Sequence, residues 1–91
     1  MEAKGTSVTA EHTQFIDKLC KKLHRNRRIN IVRREVFLHP SRHHAYSIKE
    51  LERAFVATVW HEGIVVELYF KKSLAKSDLK KAFHLAFLYA I

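Results

Sequence analysis

Phe55-Val56-Ala57-Thr58-Val59-Trp60-His61-Glu62-Gly63-Ile64-Val65-Val66-Glu67-Leu68-Tyr69-Phe70 is the stretch on which the reading of the fold depends. Two runs rich in β-branched and aromatic residues flank His61-Glu62-Gly63, and glycine reaches the positive φ that a tight hairpin needs. Strand periodicity puts Ile64, Val66, Leu68 and Phe70 on one face and Val65, Glu67, Tyr69 and Lys71 on the other. The stretch reads as an antiparallel hairpin with one apolar face, and that face needs a cover.

Beyond the hairpin the period changes from two to 3.6. Leu79, Ala82, Phe83, Ala86, Phe87 and Ala90 form an apolar stripe on a helix that starts near Ser73 or Leu74. Leu85, Leu88 and Ile91 widen the stripe past what a single contact face requires. They are therefore the candidates for a protein interface, a homodimer or a heteromer through the last helix.

Before the hairpin lies Tyr46-Ser47-Ile48-Lys49-Glu50. Ser47 with Glu50 has the form of a capping box, which would start a one- or two-turn helix from Ile48 to about Arg53. The same residues would equally lead straight into the next strand. His39 to Tyr46 reads as a loop, and Ile29 to Leu38 as a strand ending before Pro40. The alternation of that strand is imperfect and does not say which face is buried. Arg25-Asn26-Arg27-Arg28 connects it to a helix from about Thr9 to His24, in which Phe15, Ile16, Leu19, Cys20 and Leu23 share one side. Residues 1–8 read as a disordered lead-in to a single domain, 9–91.

The expected architecture is α+β: a three-stranded antiparallel sheet with two helices packed on one face, in the order α-β-β-β-α, with an optional short helix before the second strand.

This order resembles that of the double-stranded-RNA-binding domain, and the resemblance is carried by Phe55, Gly63 and Ser73. They fall where that family has a strand-starting aromatic, a hairpin glycine and the serine that opens the last helix. The family follows that serine with two lysines; here Lys71, Lys72 and Lys76 are present but out of register. His39-Pro40-Ser41-Arg42-His43-His44 is a loose echo of the family's loop between its first two strands. The resemblance implies the two-layer fold, and RNA as a ligand.

Charge points the same way. Seventeen Lys and Arg stand against nine Asp and Glu in 91 residues, a formal net charge of +8. Such a body attracts polyanions, and phosphate neutralisation releases counterions. The candidate nucleic-acid contacts are Arg25, Arg27 and Arg28 after the first helix, Arg42, His43 and His44 in the loop, and Lys71, Lys72, Lys76 and Lys80 around the last helix. Exposed aromatics would favour single strands, and Trp60 and Tyr69 are placed to face away from the core.

Catalysis finds little footing. Two glycines make no phosphate loop, and Cys20 on an apolar helix face is a poor nucleophile. His39-x-x-x-His43-His44 has no cysteine partner and no standard zinc spacing. The expectation is a binding module and not an enzyme, with no cofactor and no metal. No apolar run has the roughly 20 residues a membrane helix needs, so no membrane insertion is expected. A single cysteine fits an intracellular, reducing compartment, cytoplasmic or nuclear.

Overall fold

The computed structural model describes residues 8–91. The expected lead-in, 1–8, lies outside the described residues except for Val8. The element order is α1 (Ala10–Leu23), β1 (Ile31–Leu38), β2 (Ala45–Glu50), β3 (Ala54–His61), β4 (Ile64–Lys71) and α2 (Lys76–Leu88).

The class is the expected α+β, with one correction: the sheet has four antiparallel strands, not three, in the order β1-β4-β3-β2. The added strand is the segment in which a short helix was an option. Ser47 caps no helix there, because it lies opposite Thr58 in the ladder while Tyr46 and Ile48 turn toward the core. Read from its C-terminal end, the order is that of a Greek key: three strands joined by hairpins, β4, β3 and β2, and a fourth, β1, beside the first of them.

β1 and β2 are thus consecutive in the chain but lie on opposite edges. Two strands separate them, so the connection spans about 14 Å. Residues 39–44 cross that gap over the β3–β4 turn. The turn is two residues long, since His61 pairs with Ile64, and both Glu62 (φ 46°) and Gly63 (φ 90°) are left-handed. Two positive φ values in succession give the primed turn that matches strand twist.

Both helices cover one face of the sheet. α1 begins at the N-cap Thr9, whose hydroxyl accepts from His12 N–H while His12 Nδ1 accepts from Thr9 N–H. This is a capping box with imidazole in the usual Glu position. α1 buries Phe15, Ile16, Leu19 and Leu23. α2 starts later than its apolar pattern implied, at Lys76, because Ser73 turns back onto the Lys71 carbonyl and Leu74 is buried before the helix begins. It buries Leu79, Phe83, Ala86 and Phe87 in the shared core, where Phe83 meets Phe70 of β4 and Tyr46 of β2, and Phe87 meets Phe15 of α1.

A bulge resolves the ambiguous alternation of β1. Ile31 pairs with Phe70 and Arg33 with Tyr69, so Val32 is an extra residue in the ladder. The bulge sends Ile31 to the helix side and Arg33 to the open side. The open face then carries three cross-strand rows. Phe37, Val65, Trp60 and Ala45 form an apolar row; Glu35, Glu67, Thr58 and Ser47 an acidic and hydroxyl row; Arg33, Tyr69, Val56 and Lys49 a mixed one.

Candidate functional site

The candidate nucleic-acid residues fall into three places. Arg42, His43 and His44 lie at the end of the sheet that holds the β3–β4 turn. Arg28, Lys71 and Lys72 lie at the opposite end, about 25 Å away along eight-residue strands. Arg25, Arg27, Lys76 and Lys80 belong to the helical layer.

At the turn end the candidate side chains are bound to their own chain. Arg42 Nη2 donates to Glu62 Oε1 at 2.6 Å. His39 N–H donates to the Gly63 carbonyl at 2.8 Å, and His12 Nε2 lies 2.7 Å from the Glu62 carbonyl. Because His12 Nδ1 accepts from Thr9, the proton must be on Nε2, and His12 donates there. Helix and crossing loop together therefore fix both turn residues. His43 leans on Trp60, with ring centroids 5.6 Å apart, and its Nδ1 meets the Ser41 hydroxyl. His44 is stacked on Phe87 at 4.2 Å, and His61 on Phe15 at 3.8 Å.

These contacts set the titration of the turn end. The hydrogen bond and charge of Arg42 hold the Glu62 carboxyl below its ordinary value. Burial pushes both imidazoles down, His44 and His61 alike, and the charge of His44 lowers His61 further. A hollow of about 810 Å³ opens here, with His12, His39, His61, Arg42 and Glu62 in its wall. Among the described residues, no group of three or more His, Cys, Asp or Glu is placed to hold a metal ion.

At the opposite end Lys72 Nζ donates to Glu50 Oε2 at 2.9 Å and to the Glu52 carbonyl at 3.2 Å, which lowers the Glu50 carboxyl. Arg28 Nη2 donates to the Ser73 carbonyl at 3.0 Å, tying the segment after α1 to the segment before α2. Lys71 is exposed at the end of β4.

The helical layer is different in character. The helices with their flanking segments, residues 8–30 and 72–91, hold ten Lys and Arg, Arg28 and Lys72 among them, against three Asp and Glu, a net +7, whereas 31–71 hold six against five, a net +1. Among the described residues, Arg25, Arg27, Lys76 and Lys80 make no ion pair. Between the end of α1 and α2 runs a groove of about 770 Å³ with Lys22, Arg25 and Arg27 on one side and Leu85 and Tyr89 on the other. Leu85, Leu88 and Ile91 stand 56%, 50% and 72% exposed, so neither the sheet nor α1 covers them.

Sequence reasoning missed Tyr89 and Lys22, which meet across the groove with the ammonium 5.8 Å from the ring centroid. The signal was present in the spacing. Lys18 and Lys22, Lys21 and Arg25, and Leu85 and Tyr89 are each one helical turn apart. Cys20 is half-buried; burial raises its thiol, against the opposing hydrogen bond of Arg34 at 3.7 Å. No helix among the described residues is long and apolar enough to cross a membrane. No protein-family model, no curated protein and no solved structure matches the chain.

Proposed function

We propose that this domain is a nucleic-acid-binding module, RNA first, that engages phosphates through the outer surface of its helical layer. The observation that carries the reading is the segregation of charge: net +7 on the helices and their flanks against net +1 on the sheet segment. A uniformly basic surface aids solubility, whereas a one-sided one concentrates the attraction for a polyanion. Arg25 and Arg27 are the principal contacts, since guanidinium binds phosphate bidentately, and Lys76 and Lys80 extend the surface along α2. The candidates at the two sheet ends contribute less, because Arg28, Arg42 and Lys72 are already bonded within the chain. A reducing compartment, cytoplasmic or nuclear, suits the lone Cys20 and this ligand.

The test is a titration of labelled single-stranded RNA, duplex RNA and duplex DNA at about 50 and 200 mM salt, over which phosphate-driven binding weakens steeply. Duplex RNA is included because of the resemblance at Phe55, Gly63 and Ser73. Salt-sensitive binding that weakens with Arg25→Ala, Arg27→Ala and Lys80→Ala together, but not with Arg33→Ala and Lys49→Ala on the open face, is the expected result. Absence of binding at low salt overturns the reading.

A second reading has its own observation. Leu85, Leu88, Tyr89 and Ile91 give α2 and its end an exposed apolar surface, as protein interfaces have. It predicts a dimer or a heteromer that Leu88→Lys weakens, read by sedimentation.

A further inference from the structure

We infer that the groove between α1 and α2 seats an unpaired base, so that the nucleic acid this domain takes is single-stranded. The inference rests on the nucleic-acid reading above and names the ligand form for that site.

The groove is not a uniformly basic trough. Its floor is Ala82 and Ala86, one helical turn apart, whose small side chains leave a hollow over Leu23. Its outer wall is Leu85 and Tyr89, again one turn apart. The groove, about 770 Å³ and open to solvent, is wide enough to seat a small planar group against its wall. A phosphate backbone gains nothing from an alanine floor and an aromatic wall; a planar base gains stacking and apolar contact. In a duplex those base faces are already stacked within the helix, and only an unpaired base offers them.

The polar groups suit the same ligand. Tyr89 is 66% exposed, with the Lys22 ammonium over its ring at 5.8 Å from the centroid, a cation placed beside whatever stacks there. Asn26 also lines the groove, and its Oδ1 accepts from Arg28 N–H at 2.9 Å. The donor end of that amide is the part left for a base edge. Lys22, Arg25 and Arg27 stand on the rim, where the phosphates flanking a seated base would lie.

The groove also continues at both ends. Lys18 and Lys21 join Lys22, Arg25 and Tyr89 around an adjoining hollow of about 310 Å³. Across Leu85, a hollow of about 490 Å³ is bounded by Lys80, Lys81 and His84. The three share walls at Tyr89, Lys22, Arg25 and Leu85, and no carboxylate lines any of them. A cationic track with an apolar, aromatic seat at its middle is complementary to a flexible polyanion carrying π faces.

The experiment uses one labelled single-stranded RNA and the same strand annealed to its complement, with the wild-type chain, Tyr89→Ala, Tyr89→Phe, and Arg25→Ala with Arg27→Ala. Tyr89 is exposed, and circular dichroism confirms that each variant is folded. The expected result is tighter binding of the single strand than of the duplex. Tyr89→Ala weakens it about 5- to 150-fold, the range of one base–aromatic stack, with an unchanged salt slope and with recovery in Tyr89→Phe. The arginine pair flattens the slope instead. Equal binding of both forms with Tyr89→Ala silent overturns the base seat and leaves the nucleic-acid reading standing. Failure of both forms to bind at low salt, with an acidic amphipathic peptide bound in their place, removes both and assigns the groove to a protein helix.

Discussion

His44 Nδ1 and His61 Nδ1 lie 3.0 Å apart, so one imidazole donates and the other accepts, and the pair is complete only while it holds a single proton on those two atoms. Each ring is also pressed on an aromatic, Phe87 for His44 and Phe15 for His61. Protonating the accepting ring at its Nδ1 sets two donors face to face. Both values are lowered from 6.5 in the folded chain, with burial the main cause. The unfolded chain therefore binds more protons just below 6.5, and stability is lost as pH falls from there toward the folded values. Urea melts at about pH 7.5 and 5.5 should give a lower midpoint at the acidic value. His44→Phe keeps a ring against Phe87 and should shrink the difference. An unchanged difference would place the titrating group elsewhere.

Gly63 holds φ at 90° in the β3–β4 turn, where an added Cβ would meet only the His39 carbonyl at 3.8 Å. Space is not the obstacle; the left-handed backbone is, at about 1–2 kcal/mol for a residue with a Cβ. Gly63→Ala should lower the melting temperature, by about 4–8 °C for each kcal/mol lost in a domain of this size. A variant that melts with the wild type would show that the turn relaxes to another type.

Phe83 and Leu88 occupy neighbouring turns of α2 and differ in what they touch. Phe83 is fully buried, edge-on to Phe70 at 6.2 Å and beside Tyr46 at 5.0 Å. Phe83→Ala should cost about 3–5 kcal/mol, a large share of the stability of a small domain. Leu88→Lys should stay within about 0.5 kcal/mol as a monomer. Denaturant unfolding at low protein concentration separates the two. A loss on Leu88→Lys that grows with protein concentration is the mark of an interface.

Arg42 and Arg25 test the division of charge by role. Arg42→Ala frees Glu62 and loosens the turn end, so its effect should appear in stability and not in the salt slope of RNA binding. Arg25→Ala should do the reverse, reducing the magnitude of that slope by about 0.7 for a single strand if one phosphate contact is lost. Parallel melts and titrations of the two variants give the answer directly.

Much of this architecture can be read in advance. The β3–β4 hairpin and both helices are legible because their apolar residues repeat at strand or helix spacing over eight or more residues. β2 is not, since Ser47 and Glu50 suit a helix start as well as a strand, and only pairing with β3 selects between them. β1 hides behind Val32, whose bulge breaks the alternation. The basic clusters are visible in the sequence, but their partners are not. Arg42 finds Glu62 twenty positions on, and Lys72 finds Glu50 twenty-two positions back. The groove escapes for the same reason, because its two walls come from opposite ends of the chain.

The strand order also sets a schedule. β1 and β2 are synthesised first, yet they sit on opposite edges and give each other no hydrogen bonds. Each waits for its partner in the hairpin: β2 for β3, and β1 for β4, which closes only after residue 71 has been made. A chain emerging from the ribosome at about 5–20 residues per second carries β1 as an unpaired strand for some seconds. Arg33 and Arg34 lie in the middle of that strand and discourage it from pairing with a stranger. The same two charges that mark a finished edge thus guard the chain through the interval in which it has no partner.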